Sequence, residues 1–304
     1  MMYDVVIVGA GPAGLTAAVY ARRANKQVLI LEKAGFGGQI AFSPKVENYP
    51  GFESVSGSEL AEKMVEQVLS QGADVEIETV TGIEDRGDIK VVHTEDGSAY
   101  ECRAVILACG AKHRRLGLEN EERFIGDGIS FCAVCDGAFY KDKTVALVGG
   151  GNSALQEALL LSETCKKVYV VQNLDFLTGE PRLQELLRKR DNVEIFTGTV
   201  VAQIPDTPVF GGIVLERVAD GVRSELVVEG MFVAIGLEPE NNAFASVVGL
   251  DAAGYVDAGE DCLTKTPGVY VAGDCRRKGV RQVTTATADG AVAAVAACRY
   301  IDAL

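Results

Sequence analysis

The chain has no tryptophan, only two histidines and four methionines, and its 29 basic residues are outnumbered by 43 acidic ones. With His93 and His113 as the sole imidazoles, a histidine-rich metal centre is excluded. The resulting charge of −14 argues against broad contact with nucleic acid or an anionic membrane surface. No apolar run approaches the roughly eighteen residues of a membrane span. The opening segment Met1-Met2-Tyr3-Asp4 lacks the basic region of a secretory signal, so the expected location is cytoplasmic. Eight cysteines are too few for a disulfide scaffold, and only Cys132 and Cys135 have the spacing Cys-x-x-Cys. A four-thiolate zinc or iron–sulfur centre needs a second such pair, so this one points to redox work, with two buried free thiols as the bland alternative.

What is present is enough for two hydrophobic cores: 304 residues, 48% of them hydrophobic, with a mean hydropathy of +0.15. Residues 4–8 form an unbroken apolar run that enters Gly9-Ala10-Gly11-Pro12-Ala13-Gly14, after which Leu15, Ala18, Val19 and Arg22 recur at helical spacing. A second buried strand, Gln27-Val28-Leu29-Ile30-Leu31, delivers Glu32. Strand, glycine turn, helix, strand and acid in this order are the fingerprint of a dinucleotide-binding unit. The glycines allow a tight turn and close approach of a pyrophosphate, the helix N-terminus offers amides, and Glu32 can accept from a ribose hydroxyl.

The same unit recurs downstream. Thr144-Val145-Ala146-Leu147-Val148 enters Gly149-Gly150-Gly151-Asn152-Ser153-Ala154, and Lys167-Val168-Tyr169-Val170-Val171 is the next strand. Between the two units, alternation around Glu95-Asp96-Gly97 predicts a hairpin over 88–102, followed by a separate buried strand over 104–108. Runs at 231–236 and 268–274 read as further strands ending in glycine, and the alanine-rich stretch from Val283 to Tyr300 as a helix.

These motifs resemble those of the low-molecular-weight thioredoxin reductases, and the likeness spans essentially the whole chain. It rests on Gly9–Gly14 with Glu32, Gly37-Gly38-Gln39, Glu47-Asn48-Tyr49-Pro50-Gly51-Phe52, Cys132-Ala133-Val134-Cys135-Asp136, Gly273-Asp274 and Arg281-Gln282. The resemblance implies an α/β fold of two Rossmann-like, three-layer ββα nucleotide-binding domains, the second inserted in the first. An FAD domain would comprise residues 1–114 and 242–304, and the insert, 115–241, would carry the disulfide. FAD contacts would come from Gly9, Gly11, Pro12, Ala13, Gly14, Glu32, Lys33, Gly38, Gln39, Asn48, Gly273, Asp274, Arg281, Gln282 and Val283. By the same likeness the flavin passes electrons to the disulfide through Cys135, Cys132 is the interchange thiol for thioredoxin, and Asp136 handles the proton. A homodimer is also implied.

One stretch departs from the family. Pyridine-nucleotide-dependent members carry a histidine and several arginines after the second of these strands, and those arginines hold the 2′-phosphate of NADPH. Here the stretch reads Gln172-Asn173-Leu174-Asp175-Phe176-Leu177-Thr178, without a cation. This loss resembles the ferredoxin-dependent flavin thioredoxin reductases, and makes ferredoxin the expected electron donor. The local basic clusters Lys112-His113-Arg114-Arg115 and Arg276-Arg277-Lys278 with Arg281 are the expected docking contacts, since the overall charge opposes an acidic partner. An NADPH-dependent enzyme with an atypical site, a dithiol oxidase using oxygen, and a flavoprotein without turnover remain as alternatives.

Overall fold

Strong apolar runs bounded by glycine place the strands, and helices cover them. The structure is a computed structural model and describes residues 2–43 and 46–304; Met1, at the head of the opening segment, lies outside them. The chain divides into two compact units, residues 1–112 with 238–304, and residues 113–237.

In the discontinuous unit, four parallel strands lie in the spatial order Asp74–Ile77, Val28–Glu32, Tyr3–Val8, Ala99–Leu107. Lys90–Thr94 and Val80–Asp85 extend the sheet antiparallel. Val269–Val271 pairs in parallel with the far half of Ala99–Leu107. The predicted hairpin is present, but its second arm and the separate strand predicted at 104–108 are corrected to one long strand, Ala99–Leu107. Its first half is paired with Lys90–Thr94 and its second half lies buried between Tyr3–Val8 and Val269–Val271. Val5, Val6 and Ile7 are fully buried, as are Leu29 and Ile30, because this strand pair is covered on both faces. Each such side chain stabilises the fold by roughly 1.5–3 kcal/mol.

The helix Pro12–Arg23 crosses the terminal helix Val283–Asp302, where small residues let the backbones touch. A Cβ on Gly290 would come within 2.2 Å of the Ala13 carbonyl oxygen. The crossing holds the first glycine turn against the end of the chain.

The inserted unit has a five-stranded parallel sheet in the order Val193–Phe196, Lys167–Val171, Thr144–Val148, Gly230–Val233, Ile129–Ser130. The helix Asn152–Thr164 packs on it through Ala154, Leu155, Ala158 and Leu161. A three-stranded antiparallel meander, 199–203, 213–217 and 223–226, completes the unit. Both units are Rossmann-like, and no helix among the described residues is long and apolar enough to cross a membrane.

Candidate flavin cradle and redox-active disulfide

In the discontinuous unit the first glycine turn leaves the strand at Gly9, whose φ of 108° only glycine adopts without strain. A Cβ there would stand 2.4 Å from the Ala108 carbonyl oxygen, and one on Gly14 would stand 1.9 Å from that of Gly9. Gly11 faces open space, with only the Gly38 Cα at 4.0 Å from where its Cβ would be. Pro12 opens the helix and Gly11 caps it without a side chain, so the first-turn amides keep no capping partner of their own. Glu32 turns back onto the loop: its carboxylate accepts the Ala10 amide at 2.8 Å and the Ala34 amide at 3.1 Å.

The downstream motif residues close on this turn. Gly273 approaches Ala13, where a Cβ on Gly273 would be 2.9 Å from the Ala13 Cβ. Asp274 beside it is raised by burial, against Lys278 and Arg281, and its Oδ1 is buried with no partner. Gln39 donates to the Ala111 carbonyl at 3.1 Å, and Asn48 to the Gln282 side chain at 3.1 Å. Gln282 caps the terminal helix reciprocally with Thr285, and Val283 packs against the buried cluster of Val46, Val55 and Leu60. Arg281 lies over the Tyr255 ring, 4.3 Å from its centroid, with its Nε buried and unpartnered. Lys33 is exposed and paired with Glu240. A glycine turn open to a backbone, amides at a helix start, and an orphaned buried carboxylate and guanidinium nitrogen are what a flavin dinucleotide needs, so these residues fit FAD.

The inserted unit carries the cysteines. Cys132 and Cys135 form a disulfide at the ends of a turn whose residues 133–136 are helical. The Cys135 amide donates to the Cys132 sulfur at 3.2 Å. Ser130, at the end of the short strand, receives the Cys132 amide at 3.1 Å and donates its hydroxyl to Asp136 Oδ2 at 2.6 Å. Burial raises the Asp136 carboxyl although Ser130 opposes it, and its Oδ1 is buried and unpartnered. Behind the turn, Glu157 accepts the Ala133 amide at 3.2 Å. Neither Ser130 nor Glu157 was marked by the sequence motifs; a serine two residues before the first cysteine was the one available signal.

The second glycine turn has the first turn's backbone and a different lining. Gly149 has a φ of 137°, and a Cβ on it would stand 2.4 Å from the Ala234 carbonyl oxygen. Gln172 is buried against Gly150 and donates to the Phe176 carbonyl at 3.3 Å. The amides of Thr178 and Gly179 both take the Gly150 carbonyl at 2.9 Å. Glu180 caps the next helix, Pro181–Arg188, and is held through its amide and its carboxylate to Asn152, the first residue of the helix Asn152–Thr164.

The docking contacts read from Arg276 and Lys278 are corrected by the structure. Both are buried: their side chains keep 2% and 4% of their exposure and converge on Asp289 at 2.9 and 2.8 Å. Burial opposes Asp289 ionisation, but those two cations hold it below the usual carboxylate range. Desolvated charges must be paired, so neither is available to a protein partner. Arg277 is exposed and paired with Asp257. In the other cluster Lys112 pairs with Glu240, Arg115 with Glu122, and His113 is stacked on Phe131.

Residues 3–290 match the family model described as pyridine nucleotide-disulphide oxidoreductase. A thioredoxin reductase of Listeria innocua is 40% identical over the whole chain and 95% of its own length. A "34.2 kDa protein in rubredoxin operon" of Clostridium pasteurianum is 41% identical over 98% of the chain and 97% of its own length. The crystal structure of the Streptococcus pyogenes thioredoxin reductase superposes with a TM-score of 0.94 at 39% identity, covering 100% of this chain and 99% of that one. The chain belongs to the pyridine nucleotide-disulphide oxidoreductases, among the low-molecular-weight thioredoxin reductases, and is an FAD-dependent disulfide oxidoreductase.

Proposed function

We propose that this protein reduces thioredoxin with electrons drawn from a reduced ferredoxin, and that it does not use NADPH. The observation that carries this reading is the stretch Gln172–Thr178, which has no cation and whose first side chain is buried in place of a ligand contact. A 2′-phosphate dianion needs charge-assisted donors, each worth roughly 1.5–3 kcal/mol. The Glu180 carboxylate, held on the Asn152 side chain at the start of the helix Asn152–Thr164, further opposes a pyrophosphate.

Bound in the cradle, FAD would accept electrons from the donor and deliver them in pairs to the disulfide. Gly9, Gly11, Pro12, Ala13, Gly14, Gly38, Gly273 and Asp274 would hold its phosphates and ribityl chain, and Glu32 its ribose. Gln39, Asn48, Arg281, Gln282 and Val283 would border the rest, while Lys33 has Glu240 as its partner. When the disulfide is reduced, the Cys135 amide is already placed on the Cys132 sulfur and stabilises it as a thiolate. Cys132 is therefore suited to attack the thioredoxin disulfide, forming a mixed disulfide and expelling a thioredoxin thiolate. Cys135 then attacks Cys132, releases the second thioredoxin thiolate and restores the internal disulfide. Asp136, raised by burial and fixed by Ser130, keeps one free oxygen to exchange the proton at Cys135.

Anaerobic titration tests the donor: reduced ferredoxin should bleach the flavin rapidly and NADPH negligibly. Full thioredoxin reduction at micromolar NADPH, no slower than with ferredoxin, overturns the reading. Cys135→Ser should retain FAD and lose thioredoxin reduction. The six other cysteines are unpaired thiols, five of them buried, which supports a reducing, cytoplasmic compartment. A homodimer is supported by an apolar groove where Tyr20, Leu263, Val292 and Val295 are exposed side by side; a monomeric mass by light scattering contradicts it.

A further inference from the structure

Glu157 has no part in the reaction as described, yet it touches the redox turn directly. It sits on the helix Asn152–Thr164, on the face that also carries Ala154, Ala158 and Leu161 into the core beneath Ala133. Its Oε2 accepts the amide of Ala133, the residue immediately after Cys132. Burial pushes its carboxyl up to about 7, with only the Ala133 amide opposing. The titratable and charged groups on the neighbouring elements are Asp136 on the redox turn, Tyr140 just after it, Arg182, Glu185 and Arg188 on the helix 181–188, and Lys167 and Tyr169 on the strand 167–171. Among the described residues none of these forms an ion pair or hydrogen bond with Glu157, so its charge is uncompensated.

We propose that Glu157 is a positioning residue that tunes Cys132: through the Ala133 amide it fixes the turn, and through its own ionisation it sets how readily Cys132 becomes a thiolate. This rests on the reading of Cys132–Cys135 as the working couple. A carboxylate behind the turn is a like charge for a nascent thiolate and disfavours it. The same group uncharged imposes no such penalty. Reactivity of Cys132 therefore rises with pH less steeply than for an isolated thiol, because the thiol and Glu157 lose their protons against one another.

Alkylation reads this without any donor or thioredoxin. FAD-loaded enzyme, reduced by excess dithiothreitol without oxygen, is treated with iodoacetamide from pH 5.5 to 9, and the Cys132 peptide is quantified by mass. The native protein should show two ionisations, one of them near pH 7. Glu157→Gln, which keeps shape and polarity but not charge, should lose the ionisation near pH 7, with Cys132 alkylated roughly three- to tenfold faster at pH 8. Glu157→Asp keeps the charge and should keep two ionisations. A profile of the same shape in native and Glu157→Gln protein, whether at equal or uniformly altered rate, overturns the proposal. If Glu157→Gln fails to bind FAD, a single ionisation in the native profile overturns it equally. Failure of ferredoxin to reduce the flavin would leave this result untouched.

Discussion

The two glycine turns share a backbone and differ in what the following strand presents to them. At Gly9 and at Gly149 an added Cβ would meet a neighbouring carbonyl oxygen at the same 2.4 Å, and Gly11 and Gly151 cap their helices with φ of −79° and −84°. Glycine at these positions is thus explained by packing of strand, turn and helix, with or without a ligand. The divergence begins one strand later. Glu32 sends its carboxylate onto the Ala10 amide, whereas Gln172 fills the space over Gly150. Glycines report the fold of the turn; the residue ending the next strand reports the ligand.

The largest effect should come from forcing the turns to exchange their third small residue. Gly14→Ala puts a methyl 1.9 Å from the Gly9 carbonyl oxygen, a backbone clash that no rotamer relieves. That protein should purify without FAD, read from its visible absorbance. The reciprocal Ala154→Gly in the second turn should keep FAD and lose only about 1 kcal/mol, the usual helical cost of glycine.

Next in size is rebuilding the missing site. Asn173→Arg, Leu174→Arg and Thr178→Arg together should raise NADPH-driven flavin reduction at least about tenfold, since even one recovered charge-assisted bond is worth about 1.5 kcal/mol. Stopped-flow bleaching checks this. No gain would mean that Gln172 and Glu180, rather than the absent arginines, close the site.

Both glycine units, the parallel strands and the cysteine pair were legible because each depends on residues adjacent in sequence. Apolar runs around Val5 and Val145 carry their own evidence of burial, and the spacing of Cys132 and Cys135 limits their separation. Contacts made across the chain were not legible. Arg276 and Lys278 look like surface cations until Asp289 arrives, 13 and 11 residues later, on the terminal helix. Glu157 looks like one polar residue in an amphipathic helix, and its partner lies 24 residues away. The hairpin was read correctly but cut short, because polarity along Ala99–Leu107 changes where the strand exchanges one neighbour for another.

Arg276 and Arg277 sharpen the contrast between buried and exposed charge inside the discontinuous unit. Arg276→Ala leaves Asp289 with Lys278 and the Gly273 amide alone and should cost about 2–4 kcal/mol in thermal unfolding. Arg277→Ala removes an exposed pair and should cost at most about 1 kcal/mol. Arg276→Ala should not alter the salt dependence of reduction by ferredoxin, as measured by stopped flow.

A further effect separates the two units by pH. Each has one histidine: His93 is half-buried in the discontinuous unit, and His113 is stacked on Phe131 in the inserted one, at 5.0 Å between ring centroids. Burial lowers the His113 pKa to about 4. Protonation is therefore easier in the unfolded chain, whose imidazole titrates near 6.5. The stability this histidine contributes is complete above that value and declines as pH falls toward 4. Between pH 7 and 5 the decline should be about 1–2 kcal/mol once partial exposure is discounted. His113→Phe keeps the stacked ring and has no proton to take up. Its thermal midpoint should match the native one at pH 7 and exceed it at pH 5. An equal acid slope in both proteins would assign the pH sensitivity to other groups.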